Sequence, residues 1–215
     1  TAQQLVQRHL TALGGEARLR AAKTFQSTAL KQGADGESAS VSTYRARPNL
    51  VRWEFQKDGV PQVKAFDGKQ AWMMEGSEAK ALPAEKSKMM AEAALFDDVL
   101  LDPAKRGVKL SVAGVEDVKG APAYKLVLTH GQDVETRYLD QKTMLEVKRV
   151  AKGMHEGKAY EKTVYFSDPR PVDGIMVNHV SEWEVDGERG RSVVESARFD
   201  AAVDPALFQL PRNRS

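Results

Sequence analysis

Leu50-Val51-Arg52-Trp53-Glu54-Phe55-Gln56-Lys57, then Asp58-Gly59, then Val60 to Phe66, then Asp67-Gly68-Lys69-Gln70-Ala71-Trp72: here apolar and polar side chains take turns, and the runs stop at Asp-Gly pairs. A period of two puts successive side chains on opposite faces of a β-strand. Asp-Gly between two such runs is the strongest short hairpin signal in a single sequence. Val51, Trp53 and Phe55 therefore share one face, and Arg52, Glu54 and Gln56 the other. The stretch reads as an antiparallel meander.

The same grammar extends both ways. Toward the N-terminus, Ala39 to Arg47 ends at Pro48-Asn49, and Thr24 to Gln32 ends at Gly33-Ala34-Asp35-Gly36. Toward the C-terminus, Gln70 to Glu75 ends at Gly76, and further strands are read at Val108 to Ala113, Ala123 to Thr129, Val134 to Asp140, Leu145 to Lys152, Tyr160 to Ser167, Ile175 to Val185 and Arg191 to Asp200. Helical spacing appears at the start, where Leu5, Val6, His9, Leu10 and Leu13 form one stripe that Gly14-Gly15 terminates. Glu16 to Ala22 forms a second short helix. Ala84 to Leu101, with Met89, Met90, Leu95 and Phe96 and few β-branched residues, reads as a mid-chain helix closed by Pro103 and Gly107. Asp204 to Phe208 is a last helical turn. No linker divides the chain, so residues 1–215 read as one domain. The class is mainly β (α+β). A sheet of about twelve antiparallel strands curls as its twist accumulates, and with helices laid across its opening it makes an unclosed antiparallel barrel.

Composition narrows the function. The 215 residues carry 32 Lys and Arg against 30 Asp and Glu, a net charge of +2, which supplies no field for a nucleic acid. There is no cysteine, hence no disulfide or thiolate chemistry. No apolar run is long enough to span a membrane as a helix. Thr1-Ala2-Gln3-Gln4 leads straight into helix, as expected of a mature chain from which an export signal has been removed. His9, His130, His155 and His179 fall in separate segments without metal-ligand spacing, and no nucleophile elbow or phosphate-binding glycine motif occurs. Asp97-Asp98 and Glu182/Glu184 read as solvated carboxylates, and Lys105-Arg106 and Arg189/Arg191 as scattered surface charge. No enzyme, cofactor or metal is expected.

The apolar faces carry the remaining information. Tyr124, Leu126 and Leu128 share a face, as do Ile175, Val177, His179, Trp183 and Val185. Helices can cover only part of so broad a surface, which leaves either a ligand cavity of a few hundred Å3 or a filled core. Periodicity does not separate the two. The Met-rich helix is in the same way either a movable lid or an ordinary core helix.

Two motifs add to this. Arg47-Pro48-Asn49-Leu50-Val51-Arg52-Trp53 followed by Asp67-Gly68-Lys69-Gln70-Ala71-Trp72 resembles the LolA/LolB-like periplasmic lipoprotein carriers, as does the ending Asp204-Pro205-Ala206-Leu207-Phe208 with Pro211. The resemblance implies an unclosed barrel with a helical lid over an apolar cavity, and a periplasmic carrier shuttling acyl chains toward the outer membrane. It makes Arg47 the latch that holds the lid to the barrel. The residues expected to line the cavity are Val51, Trp53, Phe55, Trp72, Met74, Met89, Met90, Leu95, Phe96, Tyr124, Leu126, Leu128, Val177 and Trp183. Implied partners are the acyl chains of lipoproteins or free lipid, an inner-membrane releasing complex and an outer-membrane acceptor. Phospholipid, hopanoid or glycolipid cargo stays open, as does an envelope stress sensor or protein-interaction module on the same scaffold.

Overall fold

In the structure, a computed structural model, residues 1–34, 36–155 and 157–211 are described. Asp35, in the first expected turn, and the His155 side chain lie outside them. The chain begins with α1 (Ala2–Ala12) and α2 (Glu16–Ala21). Six strands follow: β1 (Thr24–Gln32), β2 (Ser38–Ala46), β3 (Leu50–Lys57), β4 (Val60–Phe66), β5 (Ala71–Glu75) and β6 (Glu78–Ala81). Then come α3 (Ala84–Ala94), a 3₁₀ turn at Val99–Leu101, and β7 (Lys109–Val118), β8 (Ala121–His130), β9 (Asp133–Asp140), β10 (Glu146–His155), β11 (Lys158–Val172), β12 (Ile175–Val185) and β13 (Glu188–Phe199). A 3₁₀ turn at Pro205–Phe208 follows.

The hydrogen-bonding order is β6-β5-β4-β3-β2-β1-β13-β12-β11-β10-β9-β8-β7. Consecutive strands pair antiparallel, and β6 and β7 stand at the two ends, so the sheet is open. The thirteenth strand beyond those expected is β6, whose Glu78-Ala79-Lys80-Ala81 lacks the β-branched and aromatic residues that mark strands. The expected helix over 84–101 stops at Ala94 and resumes only as the 3₁₀ turn.

Turn chemistry explains the meander. Asp58 and Gly59 both have positive φ, 52° and 75°, the two-residue geometry whose twist matches the flanking strands. At the second Asp-Gly pair the loop is wider. Asp67 keeps ordinary backbone, and its Oδ1 accepts the N–H groups of Lys69 and Gln70.

The chain forms two compact units. One comprises Thr1–Leu19, Gly33–Gly36 and Asp98–Val193; the other comprises Arg20–Gln32, Glu37–Asp97 and the chain from Val194 on. In the first, α1 presses Leu5, Val6 and Leu10 onto Leu126, Leu128, Leu139 and Met144, with Leu100 and Leu101 beside them. The Leu13 carbonyl then accepts the Met176 N–H at 2.9 Å. Gly14, at φ 124°, passes so close to the turn before β12 that a Cβ there would strike the Gly174 carbonyl oxygen.

The opposite face of this unit is also partly apolar. Val118, Ala123, Tyr138 and Val150 form a second cluster. The register sets Lys125, Tyr138, Lys148, Tyr165 and Glu182 in one row across β8 to β12. Lys148 Nζ lies 4.5 Å from the Tyr138 ring centre, and Lys119 Nζ lies 4.4 Å from that of Tyr165. Long cationic stems thus cover aromatic rings while their heads reach Glu116 and Glu182. One-sided greasiness, expected from alternation, holds less strictly here than the strand period implies.

Gly14→Ala is expected to cost about 1–3 kcal/mol of stability, through the strained φ and the collision with Gly174. Urea unfolding followed by tryptophan fluorescence measures it.

Candidate functional site

In the second unit the register places Val51, Phe66 and Ala71 side by side across β3, β4 and β5. All three are buried, and α3 covers them with Ala94, Met90 and Ala91, while Trp53 and Leu82 pack alongside. Positions 87, 90, 91 and 94 repeat at three and four residues, which is why they form the covered side of α3. At its start, Ser87 Oγ accepts the Ala71 N–H at 3.1 Å. At its end, Arg45 Nη2 donates to the carbonyls of Ala93 and Leu95, at 3.0 and 2.6 Å. A helix C-terminus has carbonyls without internal partners and a partial negative charge, and a guanidinium serves both. Burial lowers the Arg45 pKa.

Arg47, two residues on, has different partners. It forms a two-pronged ion pair with Asp97, both contacts 2.6 Å, and its Nε donates to the Ala22 carbonyl. Its guanidinium carbon lies 4.9 Å from the Phe96 ring centre, and the Phe96 N–H donates to the Pro48 carbonyl. The Arg47-Pro48 pair thus anchors the segment just after α3, while Arg45 holds the helix end itself.

The expected cavity residues do not all share a face. Trp72 pairs with Ala65 and lies opposite to Val51, Phe66 and Ala71, in a separate cluster with Val63 and Met74. Its indole Nε1 donates to the Phe208 carbonyl at 2.8 Å, and Arg52 lies over its ring at 5.5 Å while donating to the Leu207 carbonyl. The C-terminal 3₁₀ turn therefore covers that side. Trp72 and Met74 cannot line a space beneath α3, because the pleat sends them away from it. Phe55 shares the parity of Val51 and Trp53, and Lys64 Nζ lies 5.8 Å from its ring centre. Met90 faces inward, whereas Met89 and Leu95 are 48% and 37% exposed.

In the first unit Leu126 and Leu128 are buried under α1, and Tyr124 borders them. Val177 and Trp183 are half-buried on β12; the Val177 carbonyl hydrogen-bonds His179 Nδ1 at 3.0 Å.

The α1-covered face also holds a charge network that sequence reasoning missed. Arg137 lies opposite Leu126 on one side and Arg149 on the other. It is almost wholly buried, and contacts Asp98 at 2.9 Å and Glu135 at 2.6 Å. Arg149 makes a two-pronged contact with Glu146. Burial alone would lower the Arg137 pKa, but the charges of Asp98, Glu146 and Glu135 outweigh it and raise it. Burial would raise Asp98; Arg137 and the Leu100 N–H prevail and bring it from 3.8 to about 2. Burial would raise Glu146, but Arg149 and Arg137 together outweigh it and hold its pKa below the usual value. His9 Nδ1 faces the Met144 carbonyl at 2.7 Å, so Nδ1 carries the proton, and burial lowers its pKa below 6.5. A signal was available: on β9, Glu135 and Arg137 have the same parity as Leu139.

Beside α1 a cleft of about 660 Å3 opens, floored by Leu5, Val112 and Tyr124 and edged by Gln4, Gln7 and Arg8. Among the described residues no group of three or more His, Cys, Asp or Glu is placed to hold a metal ion, and no helix is long and apolar enough to cross a membrane.

No known family model matches the sequence, and no curated protein does. Solved structures do match in fold. A DUF1329 family protein from Desulfovibrio piger aligns with TM-score 0.68 and 16% identity over 97% of this chain and 95% of its own. A LolA superfamily protein from Nitrosomonas europaea aligns at 0.64 and 12% over 97% of both chains. A putative outer membrane lipoprotein-sorting protein domain from Vibrio parahaemolyticus aligns at 0.63 and 10% over 95% of both. The chain shares the fold of these three proteins.

Arg137→Met leaves Asp98, Glu135 and Glu146 without their shared cation and is expected to cost about 3–5 kcal/mol. Asp98 has a folded pKa below its unfolded value, so its stabilisation is complete above 3.8 and disappears as pH falls to about 2. Urea unfolding at stepped pH should show the advantage of the unaltered protein over Asp98→Asn shrinking across that interval.

Proposed function

We propose that this protein is a non-enzymatic periplasmic carrier that holds lipid acyl chains, of lipoproteins or of free lipid, against the apolar sheet faces under its helices and shuttles them toward the outer membrane. In this reading residues 1–215 act as one half-barrel domain, an inner-membrane complex loads it and an outer-membrane acceptor unloads it.

The observation that carries the reading is how α3 is held. Its inner side is a strip of Met90, Ala91 and Ala94 against Val51 and Phe66. Its C-terminal carbonyls rest on Arg45, for which no carboxylate partner is present among the described residues. Hydrogen bonds to backbone carbonyls can be exchanged for water when the helix lifts, and the strip it leaves is suited to hydrocarbon. The fold shared with a LolA superfamily protein and a lipoprotein-sorting domain supports the same conclusion. The latch expected at Arg47 is thus proposed as a two-residue device: Arg45 closes the helix end, and Arg47 with Asp97 fixes the segment on which it hinges.

Energetics fit a carrier. Each methylene buried contributes about 0.8 kcal/mol, so about ten of them give useful affinity after ordering costs. Handover then requires an acceptor that binds the chain better or favours closure of α3.

Purified protein is expected to bind dansyl-aminoundecanoic acid, and to release it when a phospholipid or acylated peptide is added. Arg45→Leu is expected to speed amide hydrogen exchange in α3 at least about tenfold, with β1 to β5 unchanged, and to alter probe release. No binding of any acylated ligand overturns the carrier; unchanged α3 exchange in Arg45→Leu overturns the latch.

A further inference from the structure

The α1-covered face is not covered to its end. In register, Val112 on β7 sits beside Leu126, on the side that α1 packs against. Leu126 is 0% exposed, yet Val112, one strand further out, is 42% exposed. The hollow between them and α1 is the cleft of about 660 Å3, within the size range of small-molecule sites. Leu5, Val112 and Tyr124 supply its apolar lining, and Thr1, Gln4, Gln7 and Arg8 its polar lining, the Thr1 amino group donating to Gln4 Oε1.

Its charge is one-sided. No residue lining the cleft is acidic, and α1 contains no Asp or Glu at all. Arg8 lies 5.9 Å from the centre of the Tyr124 ring and makes no ion pair or side-chain hydrogen bond among the described residues. Arg47, Arg52, Arg137, Arg149 and Arg170, in contrast, each engage a carboxylate. A guanidinium steadied on an aromatic face with its donors unused presents a planar fork, and a carboxylate matches that fork with two parallel hydrogen bonds. The access side is open too. β7 ends the strand order, and its ladder is interrupted between Val112 and Val115, which leaves the rim of the cleft without a neighbouring strand.

We infer that this cleft seats the acidic end of a fatty-acyl ligand, with Arg8 pairing its carboxylate and Leu5, Val112 and Tyr124 contacting the first methylenes. The inference rests on the carrier reading and adds to it a second site, beside α1, for single acyl chains with a free carboxylate head. The glutamines at the rim, Gln4 and Gln7, supply neutral donors beside the head without adding a competing charge.

The experiment compares dansyl-aminoundecanoic acid with its methyl ester by fluorescence titration. The unaltered protein, Arg8→Gln, Arg8→Lys and Val112→Glu are titrated, all at exposed positions whose replacement leaves the core intact. The acid is expected to bind the unaltered protein about tenfold more tightly than the ester. Arg8→Gln should remove that preference by weakening the acid alone, Arg8→Lys should restore part of it, and Val112→Glu should weaken the acid more than the ester. Equal affinity for acid and ester in the unaltered protein, or an Arg8→Gln variant that keeps the preference, overturns this assignment and leaves the carrier reading standing. Failure of both probes to bind the unaltered protein overturns the assignment, and if phospholipid and acylated peptide do not bind either, the carrier reading falls with it.

Discussion

The carbonyl oxygens at the end of α3 need partners, and one guanidinium supplies them. Arg45 donates to Ala93 and Leu95, so the helix stops at Ala94 with its last groups satisfied. That contact decides where α3 lies, and the position of α3 decides which strip of β3, β4 and β5 is dry. Val51, Phe66 and Ala71 are buried because Met90, Ala91 and Ala94 are set down on them. α3 itself adds one polar tie, Ser87 Oγ accepting the Ala71 N–H; Pro83 before its first residue offers no side-chain cap, and its outward residues are largely charged. The docking depends on a short apolar strip and on hydrogen bonds from β2.

Within each unit both sheet faces carry apolar clusters, covered by different means. In each a helix covers one face. On the opposite face the C-terminal turn closes over Trp72 in the second unit, and in the first, lysine stems lie across tyrosine rings. The second kind of cover combines modest cation–π attraction with area removed from water, and leaves the charged heads wet.

Much of the fold was legible. Asp58-Gly59 and the alternation of Leu50 to Lys57 set β3 and β4 to the residue, because turn geometry and pleat both leave a period in the sequence. Two failures have physical reasons. Ala71, Trp72, Met73 and Met74 are all apolar, so alternation could not tell which way Trp72 points; only the pairing with Ala65 does, and that is a property of register. The break after Ala94 has no Pro or Gly to mark it, since it is enforced from outside by Arg45, Arg47 and Asp97. At the site, Arg47 stood out through its motif, while Arg45 carried no motif and became visible only through its partners. Arg137 was hidden for another reason. A lone arginine in a strand reads as surface charge until Asp98, distant in sequence, is known to lie beside it.

Arg137 and Arg45 show how one side chain does opposite work on a covered face. Arg137 has three carboxylates around it, and this almost wholly buried guanidinium would be left charged and poorly solvated if they withdrew. Breaking such a cluster is costly, so it ties β9, β10 and the segment at Asp98 together on the face that α1 covers. Arg45 has neutral carbonyls as partners. If α3 lifts, those carbonyls meet water, the guanidinium regains solvent, and no charge is stranded. The two arrangements cost similar numbers of hydrogen bonds but differ in what is left behind when they part. In the proposed carrier this asymmetry lets α3 lift while the ion-pair cluster holds, and partner type, carboxylate or carbonyl, is enough to produce it.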